Sequence, residues 1–190
     1  MQPRKDNAGF SIIELMISLA VLVIIAGMAT ANWQGTIERH QARQTKQELR
    51  SLFQVARHTA VNRRQLTTFC PLDAANVCSN DWDQPISIFI DPGNLKELTQ
   101  PEYLVRTFKA MPKGTLTASH SGPQERRYFQ FKPDGTAHGT IGNLTWCPDS
   151  LMAERGVHVI VNFGGRIRWG KDRNGDGIVE KASGQPISCA

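Results

Sequence analysis

An α+β fold is predicted, with one long N-terminal helix packed on antiparallel sheet. Three observations predict it. From Phe10 to Arg64 the 190-residue chain has no proline and keeps helical periodicity. Beyond Arg64 it breaks into short runs rich in β-branched and aromatic residues, punctuated by Gly and Pro. The length suits one ordinary domain with a long appendage rather than two full domains.

The N-terminus divides into a leader and an anchor. Residues 1–9 are short and polar, with Arg4 and Lys5, whereas Phe10 to Ala31 is apolar except for Ser11, Glu14, Ser18 and Thr30. As a helix this stretch spans roughly 30 Å, one bilayer core. Residues 10–32 are therefore predicted to be the anchor. The basic residues precede it, so the positive-inside rule leaves residues 1–9 in the cytoplasm and the rest outside the inner membrane. A secretory signal carries its cleavage site after the apolar run. Here the plausible site, Ala8-Gly9-Phe10, comes before it, so the helix stays on the mature chain. Glu14 is an anomaly, since a carboxylate near the start of a membrane helix costs a few kcal/mol. It fits pairing with a positive group on a neighbouring subunit, or a charge near the headgroups.

Residues 33–64 continue as an amphipathic helix. Ile37, Leu49, Leu52, Phe53, Val55, Ala56 and Ala60 recur at three- and four-residue spacing and are predicted to face the globular domain. With the anchor they make one helix of roughly 80 Å. Residues 65–190 form the β-rich domain. Strands are predicted at 66–69, 86–90, 103–108, 114–119, 128–131 and 157–163, the last forming a hairpin with the segment from Arg166 to Trp169. Pro92-Gly93, Lys113-Gly114, Pro133-Asp134-Gly135 and Gly164-Gly165 mark turns.

Four cysteines in a chain with an export signal imply two disulfides, with three pairings open. The sequence favours Cys70–Cys78, which closes a tight loop containing Pro71, and Cys147–Cys189, which ties down the C-terminus. Neither a zinc pattern nor a phosphate loop is present. The five histidines are scattered, and no nucleophile–base set stands out, so an enzyme is not indicated.

Gly9-Phe10-Ser11-Ile12-Ile13-Glu14-Leu15-Met16 resembles the class III signal of type IV pilins and type II secretion pseudopilins. The resemblance implies a type IV pilin fold, cleavage after Gly9 by a prepilin peptidase, and N-methylation of Phe10. It also implies a filament-docking role for Glu14, and other major and minor pilins as partners. The location implied is the inner membrane, with the domain periplasmic, and the pilus on the cell surface. Three further stretches resemble the minor pilin group of FimT, FimU and GspH. They are the aromatic approach Tyr128–Phe131 to Pro133-Asp134-Gly135, then Trp146-Cys147-Pro148-Asp149, then Gly165-Arg166-Ile167-Arg168. The last looks like the DNA-binding element of FimT proteins in natural transformation. It implies double-stranded DNA as a partner, with Gly165, Arg166 and Arg168 carrying the contact.

Charge supports that role. The net charge is +5, from 22 Lys and Arg against 17 Asp and Glu. Arginines at i and i+2 of a strand share a face, about 6–7 Å apart, which suits successive phosphates. Lys171 and Arg173 extend the basic set. From Arg166 to Lys181 five basic residues (with Lys181) face three acidic ones (Asp172, Asp176, Glu180), a net +2. The same two arginines also fit the solvent face of an edge strand, where charge discourages strand addition. A FimU-like or GspH-like subunit that primes assembly without binding DNA is then the alternative.

The helix adds Arg39, Arg43, Lys46, Arg50, Arg57, Arg63 and Arg64 against Glu38 and Glu48, either a nucleic-acid face or a solvated one. Asp172, Asn174 and Asp176, with Gly177, resemble the front half of an EF-hand calcium loop. Ser183 stands where the closing glutamate belongs. The segment reads as a polar turn, or as a weak calcium site.

Overall fold

The computed structural model describes residues 11–30, 33–111, 113–139 and 142–189. The cleavage site at Gly9 and Phe10 lies outside them. The chain forms two compact units, residues 1–37 and 38–190. The first contains helix α1, Ile12–Thr30. Glu14 sits in its first turn, exposed, and Ile12, Ile13, Leu15, Met16 and Ile17 are exposed as well. Among the described residues no helix is long and apolar enough to cross a membrane. The ends of the expected anchor, Phe10, Ala31 and Asn32, are not among them.

Helix α2 runs Trp33–Arg63. The single helix expected through residue 64 is thus described as two, with residues 31 and 32 between them outside the description. Arg64 takes a left-handed φ of 52°, which stops α2. In the second unit Leu49, Leu52, Phe53, Ala56 and Ala60 are buried along one stripe. Each Leu or Phe buried this way contributes roughly 1.5–3 kcal/mol. Val55 is half-buried, and Ile37, expected on the same stripe, is exposed.

Among the described residues ten strands follow: β1 Thr67–Pro71, β2 Ile86–Ile90, β3 Leu104–Phe108, β4 Thr115–Ala118, β5 His120–Ser121, β6 Gln124–Glu125, β7 Phe129–Phe131, β8 Gly142–Cys147, β9 Val157–Val161 and β10 Ile167–Trp169. They make one antiparallel sheet in the order β3-β2-β1-β7, a second in the order β10-β9-β8-β4, and the small β5-β6 ribbon. Strand β8, a central strand of the second sheet, is absent from the sequence-based expectation. Gly142 and Asn143 open it like a turn, and Leu144, Thr145, Trp146 and Cys147 are all buried, so the strand lacks a polar face that would give it a period of two.

The core lies between α2 and both sheets. Phe53 meets Phe69 edge-on at 5.0 Å, and Phe69 stacks on Phe129 at 5.2 Å. Trp82 joins the cluster and donates its indole N–H to the Arg126 carbonyl, 2.7 Å. Cys70 is bonded to Cys78, and Cys147 to Cys189. The second bond ends a C-terminal strap that packs Ile187 with Cys147, Ala153, Ile178 and Val179.

Candidate nucleic-acid interface

The hairpin between β9 and β10 carries the basic element. Strand β9 ends at Val161, two residues earlier than expected, because a tight turn begins at Asn162. The Gly165 N–H donates to the Asn162 carbonyl at 2.9 Å. The Arg166 N–H donates to Asn162 Oδ1 at 3.0 Å. Register then pairs Ile167 with Val161, Arg168 with Ile160, and Trp169 with Val159.

Gly165 has φ 70°, and a Cβ there would overlap the Gly135 carbonyl oxygen. Only glycine meets both demands without strain. The turn at Pro133-Asp134-Gly135 is therefore the seat of the hairpin tip. The Ala137 N–H donates to the Phe163 carbonyl at 3.0 Å. From α2, Arg57 Nε donates to the Gly135 carbonyl at 2.8 Å, and its Nη2 reaches the Gly164 carbonyl at 3.5 Å. A helix, a turn and a hairpin are locked together by one guanidinium.

On this rigid base Arg166 and Arg168 are exposed, while Ile167 and Trp169 are half-buried. Lys46 of α2 lies over the Trp169 ring, 5.0 Å from its centroid. Strand β10 is an edge of its sheet, so Arg168 stands at a free margin, with Arg166 at the end of the turn just before it. Among the described residues, ion pairs join Arg155 to Glu38 and Arg173 to Glu180, and neither exposed arginine takes part.

Lys171 is exposed just beyond the strand. Arg173 departs from the expectation of a free basic group: its Nε lies 3.6 Å from a carboxylate oxygen of buried Glu180. Burying Glu180 without a cation would be costly, so Arg173 is held first by that demand. Lys181, half-buried, faces His158 and helps hold its imidazole neutral.

The calcium-like segment is occupied by its own backbone. Asp172 accepts the N–H of Gly175 at 2.7 Å and of Gly177 at 2.9 Å. Asp176 accepts the Ile178 N–H at 2.7 Å and the Asn174 side-chain amide at 2.9 Å. These are Asx-type turns. Among the described residues no group of three His, Cys, Asp or Glu side chains is placed to hold a metal ion.

Arg126 is buried with its guanidinium 5.2 Å from the Phe129 ring, and burial lowers its pKa. Arg127 and Lys132 are exposed. Sequence reasoning missed the part played by Asn162, Arg57 and Phe163. Asn162 and Phe163 read as the end of a strand, and Arg57 as one of seven helix cations. The Asn-x-Gly-Gly spacing is the signal that marks the turn.

A family model described as type II transport protein GspH matches residues 45–165. The prokaryotic N-terminal methylation motif matches residues 4–30. Among solved structures, the type IV minor pilin FimU of Pseudomonas aeruginosa is similar in two crystal forms. One has TM-score 0.55 and 23% identity, covering 80% of this chain and 98% of that one. The other has TM-score 0.52 and 22% identity, covering 78% and 99%. No curated protein matches the chain. The likeness is one of fold: the α+β architecture is that of the type IV pilins.

Proposed function

The chain belongs to the GspH family of type II transport proteins, and from that premise we propose that it is a minor pilin that binds DNA non-specifically for uptake, through Arg166 and Arg168 with Lys171. One observation carries the reading: two exposed arginines, i and i+2, stand together where the hairpin turn meets its edge strand, Arg166 as the last turn residue and Arg168 on β10, and the turn is fixed by Asn162, Gly165 and Arg57. Side chains on a fixed base lose less freedom when they engage phosphates. The basic set is small, so each copy binds weakly, and several copies along a filament strengthen the hold. Gly9, Phe10 and Glu14 are assigned to processing, methylation and filament docking, and α1 to the filament core and inner membrane. Prepilin peptidase and other pilins are the corresponding partners.

The full-length chain in neutral detergent is expected to retard duplex DNA of any sequence. With two or three phosphates neutralised, the logarithm of affinity falls against the logarithm of salt with a slope of about −2 to −3. The double variant Arg166→Ala, Arg168→Ala is expected to lose most of that binding. Unchanged retardation by the double variant sinks the site.

The family match favours a second reading, a GspH-like or FimU-like subunit that primes assembly, with the arginines serving only to guard a sheet edge. It expects no DNA affinity, and loss of filament assembly or secretion when the chain is deleted.

A further inference from the structure

We infer that the same hairpin tip also holds single-stranded DNA, with the Phe163 ring stacking on an unpaired base while Arg166 and Arg168 hold the neighbouring phosphates; this rests on the DNA-binding reading above. Phe163 is 63% exposed at the tip. Among the described residues it belongs to none of the three buried apolar clusters. A single exposed apolar side chain is ordinary on a protein surface. What distinguishes this one is its mounting and its company.

The mounting is rigid. The Phe163 carbonyl accepts the Ala137 N–H at 3.0 Å, the Asn162 carbonyl before it accepts the Gly165 N–H at 2.9 Å, and the Gly164 carbonyl after it is reached by Arg57 at 3.5 Å. A ring on a fixed backbone has two torsions left to lose, so ordering it against a flat ligand costs little.

The company is cationic. Arg166 is three residues away on the same tip, and Arg168 and Lys171 follow, all exposed. The acidic groups nearby in the chain are already engaged. Asp134 on the seat turn accepts the Thr136 N–H at 2.8 Å and its hydroxyl at 2.6 Å. Glu180 is paired with Arg173, and Asp172 and Asp176 accept backbone N–H groups. An apolar ring with a basic rim is complementary to a ligand that alternates flat apolar faces with phosphates. Single-stranded nucleic acid has this chemistry. A closed duplex offers the phosphates but keeps its base faces stacked inside, so the ring has nothing to take.

The test compares a labelled oligo-dT with a closed hairpin duplex of equal phosphate number. Both are titrated by fluorescence anisotropy onto the full-length chain in neutral detergent at low salt. Phe163→Ala is expected to weaken oligo-dT binding by roughly tenfold and duplex binding by less than about twofold. Phe163→Tyr keeps the stacking face and is expected to retain oligo-dT binding. The Arg166→Ala, Arg168→Ala variant is expected to lose both ligands. If Phe163→Ala leaves oligo-dT binding unchanged, or weakens both ligands equally, the stacking role is wrong and the phosphate site stands. If the unsubstituted chain binds neither ligand, the reading beneath it fails as well. If Phe163→Ala keeps oligo-dT binding but abolishes co-assembly with other pilins, the ring belongs to a protein contact and the inference is overturned.

Discussion

His158 sits on β9 with only 2% of its surface exposed, its Nδ1 2.8 Å from the Thr145 hydroxyl. Burial disfavours the imidazolium, and Lys181 adds repulsion, so the pKa is lowered to about 4. An unfolded histidine titrates near pH 6.5. Between those values the unfolded chain binds a proton that the folded chain refuses, so stability falls as the pH falls. The stabilising contribution of the neutral ring is complete above about pH 6.5 and is lost progressively toward pH 4. The slope approaches about 1.4 kcal/mol per pH unit in the middle of that window. Denaturant titrations between pH 7 and pH 5, above the main carboxylate range, are expected to show this decline. His158→Gln keeps a partner for Thr145 without the titration and is expected to flatten it. An equal decline in the variant would assign the effect to other groups.

Among the elements, the β9–β10 hairpin depends on one glycine. At Gly165 an added methyl meets both a left-handed φ and the Gly135 carbonyl. At Gly164 it meets only Asn162 Oδ1, at 3.5 Å. Gly165→Ala is therefore expected to cost about 2 kcal/mol or more of unfolding free energy, and Gly164→Ala well under 1 kcal/mol. Equal midpoints for the two variants in urea would show that the tip is not seated on the Gly135 turn. The hairpin itself was legible, since a β-branched run before Gly-Gly announces a turn. Its seat was not, because Arg57 and Gly135 are 78 residues apart and only the folded chain brings them together. Strand β8 escaped for a related reason: its opening Gly142-Asn143 is a local turn signal overruled by the strands on either side. The core stripe of α2 was readable because burial repeats at helical spacing, and it failed at Ile37, which falls in the other compact unit. Arg166 and Arg168 are singled out by the resemblance of Gly165-Arg166-Ile167-Arg168 to a known element, with their spacing in support. That Arg173 is held by Glu180 could not be read in this way, because the pair depends on how the strap folds back.

At the scale of the whole second unit, the C-terminal strap holds the buried histidine and the second sheet together. It leaves β10 at Gly170, whose N–H donates to the His158 carbonyl at 2.8 Å, and returns with the Ile187 N–H on the Val179 carbonyl at 3.0 Å. The Cys147–Cys189 bond then fixes its end to β8. That bond spans 42 residues, against 8 for Cys70–Cys78. Loop-closure entropy makes the longer cross-link worth more, about 4 kcal/mol against about 2.5 kcal/mol in the chain-entropy model. The paired variant Cys147→Ser, Cys189→Ser is expected to lower the urea midpoint further than Cys70→Ser, Cys78→Ser. It is also expected to free the strap, so that the His158 titration followed by NMR moves up toward the ordinary histidine range. The hairpin tip takes its support from Asn162, Gly135 and Arg57, none of which lies in the strap. The part of the affinity for duplex DNA that Arg166 and Arg168 supply should therefore survive in the folded variant below its unfolding midpoint, and only the share of Lys171, on the strap, should fall. A variant that kept the parent's midpoint and His158 titration would show the strap to be held by packing of Ile178, Val179 and Ile187 alone. One that lost DNA binding altogether while still folded would show that Lys171, on the strap, carries more of the contact than Arg166 and Arg168.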